Sequence, residues 1–290
     1  MKKSRKLATL GICSALFLGL AACQQQHATS EGTNQRQSSS AKVPWKASYT
    51  NLNNQVSTEE VKSLLSAHLD PNSVDAFFNL VNDYNTIVGS TGLSGDFTSF
   101  THTEYDVEKI SHLWNQKKGD FVGTNCRINS YCLLKNSVTI PKLEKNDQLL
   151  FLDNDAIDKG KVFDSQDKEE FDILFSRVPT EATTDVKVHA EKMETFFSQF
   201  QFNEKARMLS VVLHDNLDDE YLFVGHVGVL VPADDGFLFV EKLTFEEPYQ
   251  AIKFASKEDC YKYLGTKYAD YTGEGLAKPF IMDNDKWVKL

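Results

Sequence analysis

The chain carries a long apolar β-hairpin in its C-terminal half. Residues 221–231 read YLFVGHVGVLV, residues 237–243 read FLFVEKL, and the intervening PADDG has a turn-forming composition. This pattern predicts two antiparallel strands joined by a connection of four or five residues. Because the first strand is apolar on both faces, we expect it to be a central, buried strand of a sheet.

Helical patterns dominate the chain before this hairpin. A capping box at residues 57–60 (STEE) is followed by the amphipathic segments SVDAFFNLVNDYN and DVEKISHLWNQ. Further along, residues 185–202 and 256–268 favour helices, whereas DQLLFLD, ARMLSVVLHD and EPYQAIKF favour strands. We therefore predict an α+β fold, in which a helical N-terminal region is followed by an antiparallel sheet.

The first 44 residues have the composition of an export signal and a tether. MKKSRK is basic, LATLGICSALFLGL is apolar, and LAA precedes Cys23, as in a bacterial lipobox. The apolar run is shorter than the ~20 residues that a membrane span needs. We expect cleavage after residue 22, a lipid on Cys23 and a polar tether over residues 23–44; the alternative is an ordinary signal peptide with a chance cysteine. Residues 45–290 would then form a single domain at the extracellular face of the cell membrane.

Charge and polar patterning argue against several classes of partner. The formal net charge is −10, and removal of residues 1–22 deletes four basic residues and no acidic one, which leaves −14. Such a chain, without a basic cluster, does not favour nucleic acid or an anionic lipid surface as a partner. DNDAIDKG departs from the calcium-loop pattern and HDNLDDE is a hairpin loop, so we assign no metal and no cofactor.

Three cysteines remain in the globular part, Cys126, Cys132 and Cys260. On one helix the first two would lie ~9 Å apart, beyond the ~7 Å limit of a disulfide, whereas pairing of either with Cys260 stays open. GDFVGTN indicates a helix start and places Cys126 in the first turn, where the helix dipole favours a thiolate. Cys126 is therefore either a reactive nucleophile or a small buried residue, and Cys132 is expected in the core.

His226 lies in the middle of the first hairpin strand, flanked by glycines that leave room for another group to approach. It is either a core histidine whose hydrogen bonds are satisfied by neighbouring groups, or a catalytic base. Two registers are possible for the hairpin, since Val231 can pair with Gly236 or with Phe237. The first puts Glu241 beside His226, and the second puts the next residue, a lysine, there.

The chemistry favours the register that pairs His226 with Glu241. A carboxylate stabilises the imidazolium that a catalytic base must form, whereas Lys242 in the same place would disfavour it. With Glu241 next to the ring, Lys242 would lie on the opposite face of the strand, where it could pair with Glu246 or Glu247. We therefore predict that the Glu241 carboxylate contacts the ring nitrogen turned away from Cys126.

These segments together resemble the NlpC-type papain-like cysteine hydrolases. The resemblance rests on Cys126 in TNCRINSY, His226 in GHVGVLV and Glu241 in FLFVEKL, and it covers about residues 119–254. In that superfamily the nucleophile helix precedes the sheet, and the histidine and a third polar residue lie on successive strands. The long separation of cysteine and histidine, the acid at the third position and the approach GTNCRINSY depart from the commoner members. The whole chain also resembles an uncharacterised family of streptococcal-type surface lipoproteins.

The resemblance implies a papain-like, NlpC-type fold, with the nucleophile helix packed on the antiparallel sheet, and a thiol hydrolase that cleaves an amide bond through Cys126, His226 and Glu241. Asn125 and Arg127 flank the sulfur, where they could position substrate or stabilise an oxyanion; the alternatives are a helix cap and a surface charge. Because the tether faces the cell wall, the expected substrate is peptidoglycan peptide or another cell-surface molecule. The competing hypothesis is a non-enzymatic surface lipoprotein that binds or adheres through a degenerate papain-like fold.

Overall fold

The computed structural model describes residues 45–101 and 103–290, and over these residues the fold is a mixed α+β arrangement. The expected signal peptide, the lipidation residue Cys23 and the tether lie outside the described residues. The α+β class predicted from the sequence is confirmed.

Eight α-helices are present in the described residues. They are α1 (Gln55–Ser66), α2 (Pro71–Val88), α3 (Val107–Lys118), α4 (Cys126–Leu134), α5 (Phe151–Gly160), α6 (Ser165–Leu174), α7 (Val186–Phe197) and α8 (Lys257–Lys267). Most begin at a side chain that accepts a hydrogen bond from the first turn, as expected for Asn, Asp and Ser caps.

Within residues 45–101 and 103–290, nine strands form one antiparallel sheet and two more form a small separate ribbon. The strands are β1 (Ala47–Thr50), β2 (Thr98–Ser99), β3 (Val138–Thr139), β4 (Val178–Pro179), β5 (Gln201–Phe202), β6 (Arg207–Asp215), β7 (Tyr221–Ala233), β8 (Gly236–Lys242), β9 (Tyr249–Phe254), β10 (Phe280–Asp283) and β11 (Lys286–Val288). The large sheet has the order β11-β10-β6-β7-β8-β9-β1-β2, with β4 also paired to β7, and β3 pairs with β5.

The predicted hairpin is β7 and β8, and it lies in the middle of the large sheet. Most residues of β7 are buried, which agrees with its apolar character on both faces. Helix α4 packs against β7, β8 and α2, and α8 packs against β8, β9 and β10. The helix that carries Cys126 and the strand that carries His226 are therefore direct neighbours.

Three local predictions are wrong. The helix expected over residues 185–202 ends at Phe197, and Gln201–Phe202 form β5. DQLLFLD, predicted as a strand, is a short 3-10 helix over Gln148–Leu150 that continues into α5. The buried residues Asp153, Ala156 and Ile157 of α5 follow a helical spacing that becomes visible only beyond that heptapeptide. Helix α1 also begins before the STEE box, since Asn54 is its cap and accepts a hydrogen bond from the N–H of Ser57.

Candidate functional site

Cys126 is the first residue of α4. The chain enters the helix through Gly123, whose φ of +94° lies in the region that glycine adopts at no cost. Asn125 is the N-cap, and its side-chain oxygen accepts a hydrogen bond of 3.1 Å from the N–H of Ile128. The sulfur therefore lies in the first turn, at the positive end of the helix dipole, as the sequence predicted.

The side chains of Asn125 and Arg127 both bind Asp153 of α5. The Arg127 guanidinium meets the two carboxylate oxygens at 2.9 and 2.7 Å, and it also donates to the carbonyl oxygen of Val224 on β7 at 2.9 Å. The Asn125 amide donates to the same carboxylate at 2.7 Å. The predicted alternative of a surface charge is wrong for Arg127, and the cap is confirmed for Asn125. Both side chains fix the start of α4 against α5, and Arg127 also fixes it against β7.

Replacing Asp153 with Ala is expected to lower the free energy of unfolding by about 3–5 kcal/mol, because removal of one partner of a buried ion pair leaves the other charge buried. The Asp153 side chain is almost completely inaccessible to solvent. Urea denaturation measures the effect. The matched control is Asp155→Ala on the same helix, whose half-exposed carboxylate pairs with Lys159 and whose loss should cost less than about 1 kcal/mol. Equal small losses in the two variants would contradict the role given to Asp153.

The observed hairpin register differs from both predicted ones. Val231 pairs with Leu238, and the ladder closes at Ala233 and Gly236, so the connection has two residues and not four or five. The observed register lies two residues from the one that was preferred on chemical grounds. Because side chains alternate with a period of two, a shift of two residues leaves every side chain on its expected face. Glu241 therefore shares the face of His226, as predicted, although it is a diagonal neighbour and not the directly opposite residue.

The glycines around His226 allow other groups to approach closely. Gly225 is the extra residue of a β-bulge, since the register between β6 and β7 shifts at this point. A Cβ atom on Gly228 would collide with the ring of Phe239 and with the backbone oxygen of Val240. The β7–β8 ladder ends at the pair Val229–Val240. His226 therefore lies three residues beyond it, where the two strands separate.

His226 is held between a carboxylate and a thiol. Its Nε2 lies 2.5 Å from Oε2 of Glu241, and both side chains are completely buried. Nδ1 is also buried and has no partner with regular hydrogen-bond geometry, while the Cys126 thiol interacts with the ring. Burial alone would lower the pKa of His226, but Cys126 and Glu241 outweigh it and raise the pKa above its usual range. Two of the predicted residues, Cys126 and Glu241, thus both interact with the third, His226.

Helix α8 completes the surroundings of the carboxylate. Tyr263 donates a hydrogen bond to Oε1 of Glu241, and Nζ of Lys267 lies 3.4 Å from both oxygens. Burial would raise the pKa of Glu241, but Lys267, His226 and Tyr263 together lower it to about 2. Glu241 is therefore ionised at any physiological pH. Tyr268, at the end of α8, stacks on the His226 ring with centroids 5.1 Å apart.

The α8 residues were not identified from the sequence. Tyr263 and Lys267 are four residues apart, so they share one face of the predicted C-terminal helix. This spacing was the available signal, but it did not show which strand the face would cover.

The three cysteines of the described chain are buried and form no disulfide. Burial raises the pKa of Cys132 to about 12 and that of Cys260 well above its usual range. The predicted core position of Cys132 is confirmed. Cys126 differs from the other two cysteines because it interacts with a histidine. Like them it is buried: both Cys126 and His226 are 0% exposed.

Residues 45–101 and 103–290 contain no group of three or more His, Cys, Asp or Glu side chains arranged to hold a metal ion. Within the same residues, none of the helices combines the length and the apolar character that crossing a membrane requires.

Comparison with known proteins gives a family and no closer relative. Neither the curated proteins nor the solved structures include a match to the chain. Residues 48–288 match a family model described as a domain of unknown function, DUF4300, and this range includes Cys126, His226 and Glu241. Because the match covers most of the sequence, the chain belongs to the DUF4300 family.

Proposed function

We propose that the protein is a lipid-anchored thiol hydrolase that cleaves an amide bond with Cys126, His226 and Glu241. The observation that carries the proposal is the buried His226–Glu241 pair, whose imidazole ring also interacts with the Cys126 thiol. A nucleophile, a base and a group that orients the base are the parts that such catalysis needs.

In the proposed reaction, His226 takes the thiol proton and the Cys126 sulfur attacks the amide carbonyl carbon. The positive end of the α4 dipole favours the negative charge on the sulfur and on the developing oxyanion. The C–N bond breaks as His226 returns the proton to the leaving amine, which leaves a thioester on Cys126. Water, deprotonated by His226, then hydrolyses the thioester and restores the thiol.

Glu241 has two functions in this scheme. Its carboxylate fixes the tautomer that carries a proton on Nε2 of His226, so that Nδ1 is the nitrogen that accepts the thiol proton. Its charge also stabilises the imidazolium that forms during the reaction. The arrangement of a cysteine helix on an antiparallel sheet, with the histidine and the acid on the successive strands β7 and β8, supports a papain-like, NlpC-type fold.

The proposed substrate is an amide in cell-wall peptide. This follows from the proposed location, since a lipid on Cys23 and a polar tether would hold the domain at the extracellular face of the membrane, next to peptidoglycan. No nucleic-acid partner and no cofactor form part of the proposal.

A second candidate function is a non-enzymatic binding module on the same fold. The observation that favours it is the complete burial of Cys126 and His226, because a substrate can reach the sulfur only if part of the covering structure moves. In a binding module the buried Cys126, His226 and Glu241 would serve only to stabilise the core.

Selective alkylation of the folded protein distinguishes the two functions. We expect iodoacetamide near neutral pH to modify Cys126 at least about tenfold faster than Cys132 or Cys260, because a histidine partner and a helix start increase the thiolate fraction. Mass spectrometry of the digested protein gives the rate at each position. Cys132→Ala is the matched control and should leave the rate at Cys126 unchanged. Slow and equal labelling of all three cysteines would support the binding module.

A further inference from the structure

Lys242 is a buried lysine whose ammonium group organises the loop that follows it. This loop, residues 243–248, joins β8 to β9. Nζ donates to the carbonyl oxygens of Thr244 at 2.8 Å and Phe245 at 3.2 Å, and to that of Glu247. Three acceptors match the three N–H bonds of an ammonium group. The sequence suggested carboxylate partners for Lys242, and the structure has main-chain oxygens instead.

The surroundings of Lys242 act on its charge in opposite directions: burial disfavours the cation, whereas nearby aromatic rings and negative charges favour it. Nζ lies 4.2 Å from the ring centroid of Tyr84 and 5.2 Å from that of Tyr249, which are cation–π distances. Burial lowers the pKa of Lys242 to about 7, and the negative charges of Glu246, Glu247 and Cys126 act in the opposite direction. Across the packed elements, the ionisable groups that face Lys242 are Tyr84 of α2, Tyr249 of β9, Glu246 and Glu247 of the loop, and Cys126 of α4.

The 243–248 loop is in turn fixed against the segment that leads into α4. Tyr84 donates a hydrogen bond to the carbonyl oxygen of Glu246. A Cβ atom on Gly123 would lie 3.4 Å from the carbonyl oxygen of Phe245, so the loop packs on the glycine three residues before Cys126. The loop therefore packs directly against the segment that leads into the nucleophile helix.

A second set of contacts, inside the protein, connects Tyr249, which lies next to Lys242, to the start of α4. The Tyr249 hydroxyl donates to the side-chain oxygen of Asn129 at 3.0 Å and lies 3.4 Å from Oγ1 of Thr124. The Asn129 amide donates to the same Thr124 oxygen at 2.9 Å. Displacement of the lysine would thus affect both the loop and the helix start.

We propose that Lys242 is a positioning residue for Cys126: it holds the 243–248 loop against the start of α4, and its positive charge favours the thiolate. This inference rests on the proposed function for the role of Cys126 as a nucleophile. The part of the inference in which Lys242 holds the loop does not depend on any chemistry at the sulfur.

Two substitutions separate the two effects. Lys242→Met removes the charge and all three donors, whereas Lys242→Gln removes the charge and keeps an amide that can still donate to the loop. At about pH 6, each variant should alkylate at Cys126 about tenfold more slowly than the wild type, since one pKa unit corresponds to a tenfold change in the thiolate fraction. Lys253→Met on β9, which removes a lysine paired with Glu60, is the matched control and should leave the rate at Cys126 unchanged.

Amide hydrogen exchange of residues 244–247 measures the loop itself. We expect exchange at least about tenfold faster in Lys242→Met and a smaller increase in Lys242→Gln, because lost anchoring contacts allow local opening. Wild-type exchange rates in a folded Lys242→Met or Lys242→Gln protein would overturn the positioning role. A wild-type alkylation rate in a folded Lys242→Gln protein would overturn the charge effect. If Cys126 of the wild type is itself inert, the proposed function and the charge effect both fail, and the exchange rates alone decide the positioning role.

Discussion

Replacing Glu241 with Gln will slow the alkylation of Cys126 at least about tenfold near neutral pH, because the imidazolium of His226 loses its stabilising charge and the thiolate loses its counter-ion. Gln has nearly the same shape: its amide oxygen can accept a hydrogen bond from His226, and its NH2 group can donate to the Tyr263 hydroxyl oxygen. The fold should therefore be retained, which circular dichroism checks. Glu258→Gln is the matched control, since Glu258 is exposed on the same helix that supports Glu241. An unchanged rate in Glu241→Gln would show that the carboxylate does not act on the cysteine.

The same substitution has a pH-dependent effect on stability. The pKa of Glu241 is about 2 in the folded protein, against an ordinary value of 4.5. A carboxylate with a lowered pKa stabilises the fold above its unfolded pKa, and this stabilisation is lost as the pH falls through the folded pKa. We expect the wild type to exceed Glu241→Gln in free energy of unfolding by on the order of 3 kcal/mol near neutral pH. Urea denaturation should show this difference shrinking between about pH 4.5 and pH 2.

The sequence determines the faces of the central hairpin but not its register. Side chains alternate between the two faces along β7 and β8. His226 and Glu241 therefore share a face in the predicted register and in any register that differs from it by an even number of residues. The register itself depends on where β7 ends, and the turn-forming composition of PADDG, which begins with Pro232, placed that end at Val231. In a two-residue hairpin the closing pair, Ala233 and Gly236, is hydrogen-bonded, so Pro232 needs no N–H towards β8.

The side of Pro232 that faces β6 forms no inter-strand hydrogen bond either. Strand β6 begins at Arg207, which pairs with Leu230, so Pro232 lies beyond the end of that strand. A proline at such a position does not interrupt the sheet. Sequence alone cannot show this, because it depends on the length of a neighbouring strand that comes from another part of the chain.

Long-range polar contacts were the other part that the sequence did not predict. Arg127 and Asp153 are 26 residues apart, and Glu241 and Tyr263 are 22 residues apart. Periodicity identifies which residues share a face of one helix or strand, but not which face meets which. The cysteine at the start of α4 was predictable, since glycine and cap residues are local signals.

Replacing Cys126 with Ala will abolish amide hydrolysis, because no other group in the scheme can form the thioester. The substitution removes one buried sulfur atom, and the lost packing should cost no more than a few kcal/mol in the free energy of unfolding, which is compatible with a folded protein. Cys132→Ala on the same helix is the matched control. It removes a sulfur from a similarly buried position and should retain activity once its fold is verified.

The central claim is that Cys126 cleaves an amide in cell-wall peptide. Its most direct test is digestion of purified peptidoglycan by the wild type, Cys126→Ala and Cys132→Ala, with the soluble products identified by chromatography and mass spectrometry. We predict that the wild type and Cys132→Ala release fragments with newly exposed amino and carboxyl groups, and that Cys126→Ala releases none. Equal release by the wild type and Cys126→Ala, or no release by the wild type, would contradict the claim.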